Sequence, residues 1–272
     1  MGEQRRRRLR VANVILGVSV AVLALTAAAF PLRPAIETAN LTVDGADSYT
    51  WLPYGNRLVI RANETNQGTE LRTVWWATDE TVSQDQQSCV TWSGNTGVTV
   101  QPGIALRIRT SSSEVRAITI SNNVWVGNRA AWNVHTWVAR EGQPTERKLV
   151  GQVPFVAALG DHPLRLEPLP WRICGRAIGS TVAVKIWAPT PGKATPAWGD
   201  SRYGATFALP AGWDAAGVPG GYTGHLGPGS EVNYSKETTA VVSLPGLERL
   251  GVRASAVTRT ASYQTLEMAL SR

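Results

Sequence analysis

Phenylalanine, histidine, methionine and cysteine are all scarce, at three, three, two and two among 272 residues. Two cysteines, Cys89 and Cys174, cannot build a thiolate zinc cluster, and His135, His162 and His225 show no His-x-x-x-His spacing. A Gly-x-Ser-x-Gly elbow is missing, and Gly227-Pro228-Gly229-Ser230 lacks the strand-to-helix setting that would activate a serine. GGYTGHLGPG at 220–229 has no following Lys-Ser/Thr, so no phosphate-cradling loop is present. Charge is also sparse, at 17% of residues, and the formal +7 is localised: Arg5, Arg6, Arg7, Arg8 and Arg10 hold five of the 27 basic residues. From residue 30 onward 22 basic residues face 19 acidic ones, a balance that argues against a nucleic-acid partner. The 43% apolar content excludes a disordered chain.

The arginine cluster is followed by a long uncharged run, Val11 to Phe30, whose only polar side chains are Asn13, Ser19 and Thr26. Twenty helical residues span the roughly 30 Å hydrocarbon layer. The reading is a basic cytoplasmic N-terminus at 1–10, a transmembrane anchor at 11–30, a linker at 31–44 and an extracytoplasmic domain at 45–272. A cleaved signal is the alternative, since Ala27-Ala28-Ala29 fits the small-x-small pattern; the protein would then be secreted. Both place the body outside the cytoplasm, where a Cys89–Cys174 disulfide is favoured over two separate buried thiols.

Beyond Leu41 the chain reads as strands. Runs rich in Val, Ile, Thr and Trp alternate with polar residues between Gly, Pro, Asn and Ser clusters. Strands are expected at 57–62, 70–77, 89–92, 104–109, 115–121, 123–126, 132–139, 154–159, 181–188, 239–244 and 265–270, with a helix-period stripe only at 247–256. In IALRIR (104–109) Ile104, Leu106 and Ile108 should share one face and Arg107 and Arg109 the other. Two passages interrupt the pattern: Asp161–Arg172, with three prolines, and the Pro/Gly-rich stretch Ala188–Ser230, long enough to be functional and to enclose one or two short strands. The fold class is therefore all-β, an antiparallel two-sheet β-sandwich or jelly roll in one domain, preceded by one N-terminal transmembrane helix.

Five segments carry a resemblance: WLPYGNRLVIRA (51–62), LRTVWWATDE (71–80), SCVTW (88–92), and the pair VRAITISNNVWVG and AAWNVHTWVA within 115–139. Their order resembles the concanavalin A-like lectin/glucanase superfamily, including laminin G-like modules. The resemblance implies a jelly-roll sandwich and a glycan ligand.

Candidate sites follow from side-chain chemistry. Eleven tryptophans are too many for one core stripe. In Trp75-Trp76 the rings must point to opposite faces, so one is buried and the other exposed or covered by a loop. Indoles stack on the apolar face of a sugar ring while keeping an N–H donor, so Trp76, Trp198, Trp213, Tyr222 and His225 are the ligand-binding candidates. Asp79, Glu80 and Asp85 form an oxygen-rich loop and are the candidates for holding Ca²⁺. Glycoside hydrolysis needs two carboxyl groups on one face. No Glu-x-Asp strand occurs, and Glu70, Asp79 and Glu231 are the only acids considered. The expectation is a membrane-anchored cell-envelope protein that binds a glycan without cleaving it. The alternatives are a glycoside hydrolase acting on an envelope polysaccharide and an accessory subunit docked on a membrane enzyme or transporter.

Overall fold

The computed structural model describes residues 35–43, 45–54, 57–97, 99–123, 131–160, 167–242 and 258–260. The expected anchor at 11–30, the stripe at 247–256, the strand at 265–270, His162 and all but the first residue of 123–126 lie outside them. Among the described residues no helix is long and apolar enough to cross a membrane.

Two antiparallel sheets face each other. The first has the order β1 (Ile36–Thr42), β4 (Arg72–Ala77), β13 (Val218–Gly224), β6 (Gln101–Thr110), β7 (Glu114–Asn122), β8 (Ala131–Arg140) and β9 (Glu146–Pro154). The second runs β12 (Gly204–Ala208), β11 (Thr181–Trp187), β10 (Trp171–Ile178), β5 (Gln86–Asn95), β14 (Glu231–Val241), β3 (Arg57–Ala62) and β2 (Tyr49–Tyr54), with β15 (Thr258–Thr260) beside β14. β6 to β9 form a meander, β2–β3 and β10–β11–β12 are likewise consecutive neighbours, and β1–β4, β4–β13, β13–β6, β10–β5, β5–β14 and β14–β3 are brought together by crossovers. Among the described residues, helix is confined to one turn, α1 (Val156–Leu159).

Alternation explains which faces meet. Leu58 and Ile60 on β3, Val90 and Trp92 on β5, and Ile173 on β10 point inward against Trp75, Ile104, Leu106, Ile118, Ile120 and Trp132 from the first sheet. Burying side chains of this size on both inner faces supplies the main driving force for the sandwich. The first sheet carries a second apolar cluster on its other face, built on Val74, Trp76, Ala105, Ala117, Trp137 and Tyr222. β4 is therefore buried along its whole length, with Trp75 in the main core and Trp76 on the opposite side.

Several expectations change. Residues 36–42, read as linker, form β1 and pair with β4. Residues 154–159 are not a strand: β9 ends at Pro154 and the chain turns into α1, because Ala158 and Leu159 close helical hydrogen bonds back to Phe155. In β6 a register shift between Leu106 and Arg109 breaks the period of two. Ile104 and Leu106 enter the main core, Ile108 joins the second cluster, and Arg107 turns inward at φ 51° with 1% exposure. Such bulges re-aim a side chain. Arg107 donates to the carbonyls of Gln84, Trp213 and Gly179, and its amide donates to Gln86 Oε1. The Ala188–Ser230 passage encloses β12 and β13.

Candidate functional site

The cross-strand register of the second sheet places side chains in rows on its outer face. Thr91 of β5 pairs with Ser235 of β14 and Arg172 of β10, and Arg172 pairs with Trp187 of β11. The next row is Thr238, Cys89, Cys174 and Lys185. Here Cys89 and Cys174 are joined as a disulfide across adjacent strands.

The row Ser235–Thr91–Arg172–Trp187 is the floor of a cleft of about 440 Å³. That volume lies in the range of small-molecule sites. One wall is the segment from Ala188 to Pro196 with Arg202 and Tyr203; the other is Ala158, Glu167 and Pro170. Proline and glycine keep residues 188–203 out of the sheet, and cation–π contacts hold them over it. Lys185 Nζ donates to the Pro196 carbonyl at 2.6 Å and lies 4.6 Å from the Trp198 ring centroid. The Arg176 guanidinium lies 4.4 Å from the same ring. Arg202 Nε donates to the Ala157 carbonyl at 3.2 Å, tying the loop to α1. Trp171 Nε1 donates to the Glu167 carbonyl and fixes the opposite wall.

Arg172 is the polar centre of the floor. It donates to Thr91 Oγ1 at 3.1 Å and Thr238 Oγ1 at 2.6 Å. Burial pushes its guanidinium down to about 10, partly opposed by the charge of Glu237. Hydroxyls, a guanidinium, a phenol and an indole thus converge on one half-open space, the combination that hydrogen-bonds a polyol and stacks on its apolar face. Among the described residues, Glu167 is the one carboxylate that lines the cleft.

The sequence-derived candidates fall in three places. Trp198 belongs to the loop beside this cleft, its ring against Arg176 and Lys185. Trp213 is buried at the edge between the sheets, under the Arg116 guanidinium at 4.6 Å, with its carbonyl accepting from Arg107. Trp76 and Tyr222 are buried on the far face of the first sheet, where Tyr222 donates to Gln101 Oε1. Burial raises the Tyr222 phenol well above its usual range. His225 follows β13 on that side; Arg72 donates to its Nε2 at 2.7 Å, which leaves the proton on Nδ1, 3.8 Å from Glu70. Burial, then the Arg72 charge, holds this imidazole at about 4.

Asp79, Glu80 and Asp85 do not converge. Glu80 accepts from Thr239 Oγ1, Asp85 accepts from the Gly179 amide, and Asp79 sits on an exposed turn. Among the described residues no group of three His, Cys, Asp or Glu side chains could hold a metal ion. The other acids considered are engaged apart, Glu70 with Arg72 and Glu231 with Arg61. The floor residues Thr91, Arg172 and Ser235 escaped the sequence reading because they become neighbours only through strand pairing. The one usable signal was the Pro/Gly-rich passage that walls the cleft.

No family model and no curated protein matches the chain. Solved structures do, as galectin-like, carbohydrate-binding-module and lectin β-sandwiches. A carbohydrate binding module, CBM66 from Bacillus subtilis, is similar at 9% identity and a TM-score of 0.41, covering 74% of this chain and 94% of that one. The VIP36 exoplasmic/lumenal domain in its Ca²⁺/Man3GlcNAc-bound form is similar at 11% identity and a TM-score of 0.44, over 83% and 95%. A protein of unknown function with a galectin-like fold from Bacillus subtilis follows at 12% and 0.38, over 68% and 87%. The cleft is read from this chain's own residues.

Proposed function

We propose that the sandwich binds a glycan without cleaving it, in the cleft on the outer face of the second sheet. The observation that carries this is the floor row Ser235–Thr91–Arg172–Trp187 under the 188–203 wall. Binding is favoured over hydrolysis because, among the described residues, the lining supplies one carboxylate, Glu167, where a two-carboxylate mechanism needs a pair. We further propose that residues 11–30 anchor the chain in a membrane, with the sandwich in the cell envelope outside the cytoplasm. The apolar run behind five arginines supports this, as does the Cys89–Cys174 disulfide, a bond that persists in oxidising compartments.

The test is a glycan array with the full chain, followed by calorimetry on the best ligands and an assay for released sugar. Trp187→Ala should weaken binding at least about tenfold through loss of the stacking surface, with the far-UV spectrum unchanged. Array signals at background would sink the reading, and release of reducing sugar would replace binding by hydrolysis.

A further inference from the structure

We propose that the cleft takes an anionic glycan, whose carboxylate or sulfate groups lie against Arg172, Lys193 and Arg202; this rests on the glycan-binding reading above. Among the described residues, these three cations line the cleft against a single acid, Glu167. Arg176 and Lys185 stand beside it on the same sheet face, under Trp198.

What marks the cleft is that its cations line a concave space, because among the described residues cations without a salt bridge, such as Arg57, Arg147 and Lys148, occur elsewhere too. Arg61, Arg72 and Arg140 each pair with a glutamate. At the cleft, Arg172 feels the charge of Glu237. Among the described residues, Arg176, Lys185, Lys193 and Arg202 have no carboxylate within salt-bridge distance. Desolvation lowers Arg176 and Lys185 as it lowers Arg172, and for Lys185 the Arg176 charge adds to the effect. Arg176 and Lys185 donate to Gln87 Oε1 and the Pro196 carbonyl and stand behind the lining, whereas Arg172 lines the cleft, where a bound anion would add counter-charge to a partly desolvated guanidinium. Lys193 and Arg202 are exposed at the rim, where a charge acts mainly on encounter and is sensitive to salt. Trp187 and Tyr203 supply the ring-facing surface between the cations.

The experiment titrates the full chain with three sets of oligosaccharides: hexuronates, sulfated galactans, and the neutral counterparts of both. The expected result is that at least one charged set binds at least about tenfold more tightly than its neutral counterpart, with affinity falling as salt is raised. Lys193→Glu and Arg202→Glu should each weaken that binding several-fold, while Lys148→Glu, the same charge change on an exposed position of β9, leaves it unchanged. Preference between hexuronate and sulfate identifies the anion. Equal binding of charged and neutral sugars, insensitive to both substitutions, would overturn the anionic assignment and leave the glycan reading standing. Binding of none of the sets, while the array also stays silent, would remove both.

Discussion

Trp75 dictates its neighbour. Its indole lies over Gly221 of β13, where a Cβ would approach the ring carbon Cζ2 to 2.0 Å. The glycine that makes VPGGYTG look like a turn is therefore what lets the strand run beneath a buried indole. Gly221→Ala should destabilise the protein by about 3 kcal/mol through overpacking, read as a lower urea midpoint with unchanged slope; an unchanged midpoint would contradict the assigned packing. The histidines make a second prediction. Burial holds His135 at about 4, assisted by the Arg147 and Arg72 charges, and holds His225 at about 4 with Arg72 lowering and Glu70 raising it. Free imidazoles titrate near 6.5, so between those values the unfolded chain binds more protons than the folded one. Stability should fall as pH drops from about 6.5 to about 4 and level off below, by up to about 3 kcal/mol per imidazole. His135→Gln and His225→Asn should each flatten that slope in melting curves across the window, asparagine being tolerant of the positive φ at 225. Equal slopes in wild type and variants would show that these imidazoles do not account for it.

Strands with β-branched and aromatic residues on alternating positions were legible: 57–62 is β3 to the residue, 115–121 and 132–139 lie on β7 and β8, and 181–188 overruns β11 by one residue. β1, β2, β9, β10 and β13 escaped, three of them for identifiable reasons. β9 (ERKLVGQVP) is an exposed edge with little apolar signal, β1 (IETANLT) is an edge too, and β13 is shaped by Trp75. The bulge in β6 sends Arg107 inward, a reversal invisible to a strict period of two. The disulfide pairing of Cys89 and Cys174 was read from compartment and count, and the strands add that it staples β5 to β10 beside the cleft floor. With the cysteines 85 positions apart, the chain-entropy model gives about 4 to 5 kcal/mol. Cys89→Ser with Cys174→Ser should therefore lower the melting temperature by on the order of 10 °C. A shift of a degree or less would mean that the β5–β10 ladder holds without the bond.

At the scale of the whole molecule, an all-β sandwich could be read from turn spacing and alternation, whereas the site could not. Thr91, Arg172, Trp187 and Ser235 are separated by up to 144 positions and meet only because β14, β5, β10 and β11 are consecutive in the second sheet. Aromatic content alone instead pointed to Trp76 and Tyr222, which are buried on the other sheet. The two sheets thus offer distinct places for a ligand to be sought. The most direct measurement is a ¹H–¹⁵N shift map of the full chain titrated with the glycan panel, with indole N–H signals assigned. The account predicts movement of the Trp187 indole and of amides near Thr91, Arg172 and Thr190–Thr195. Shifts centred on Trp76 and Trp137, or no shifts with any member of the panel, would contradict it.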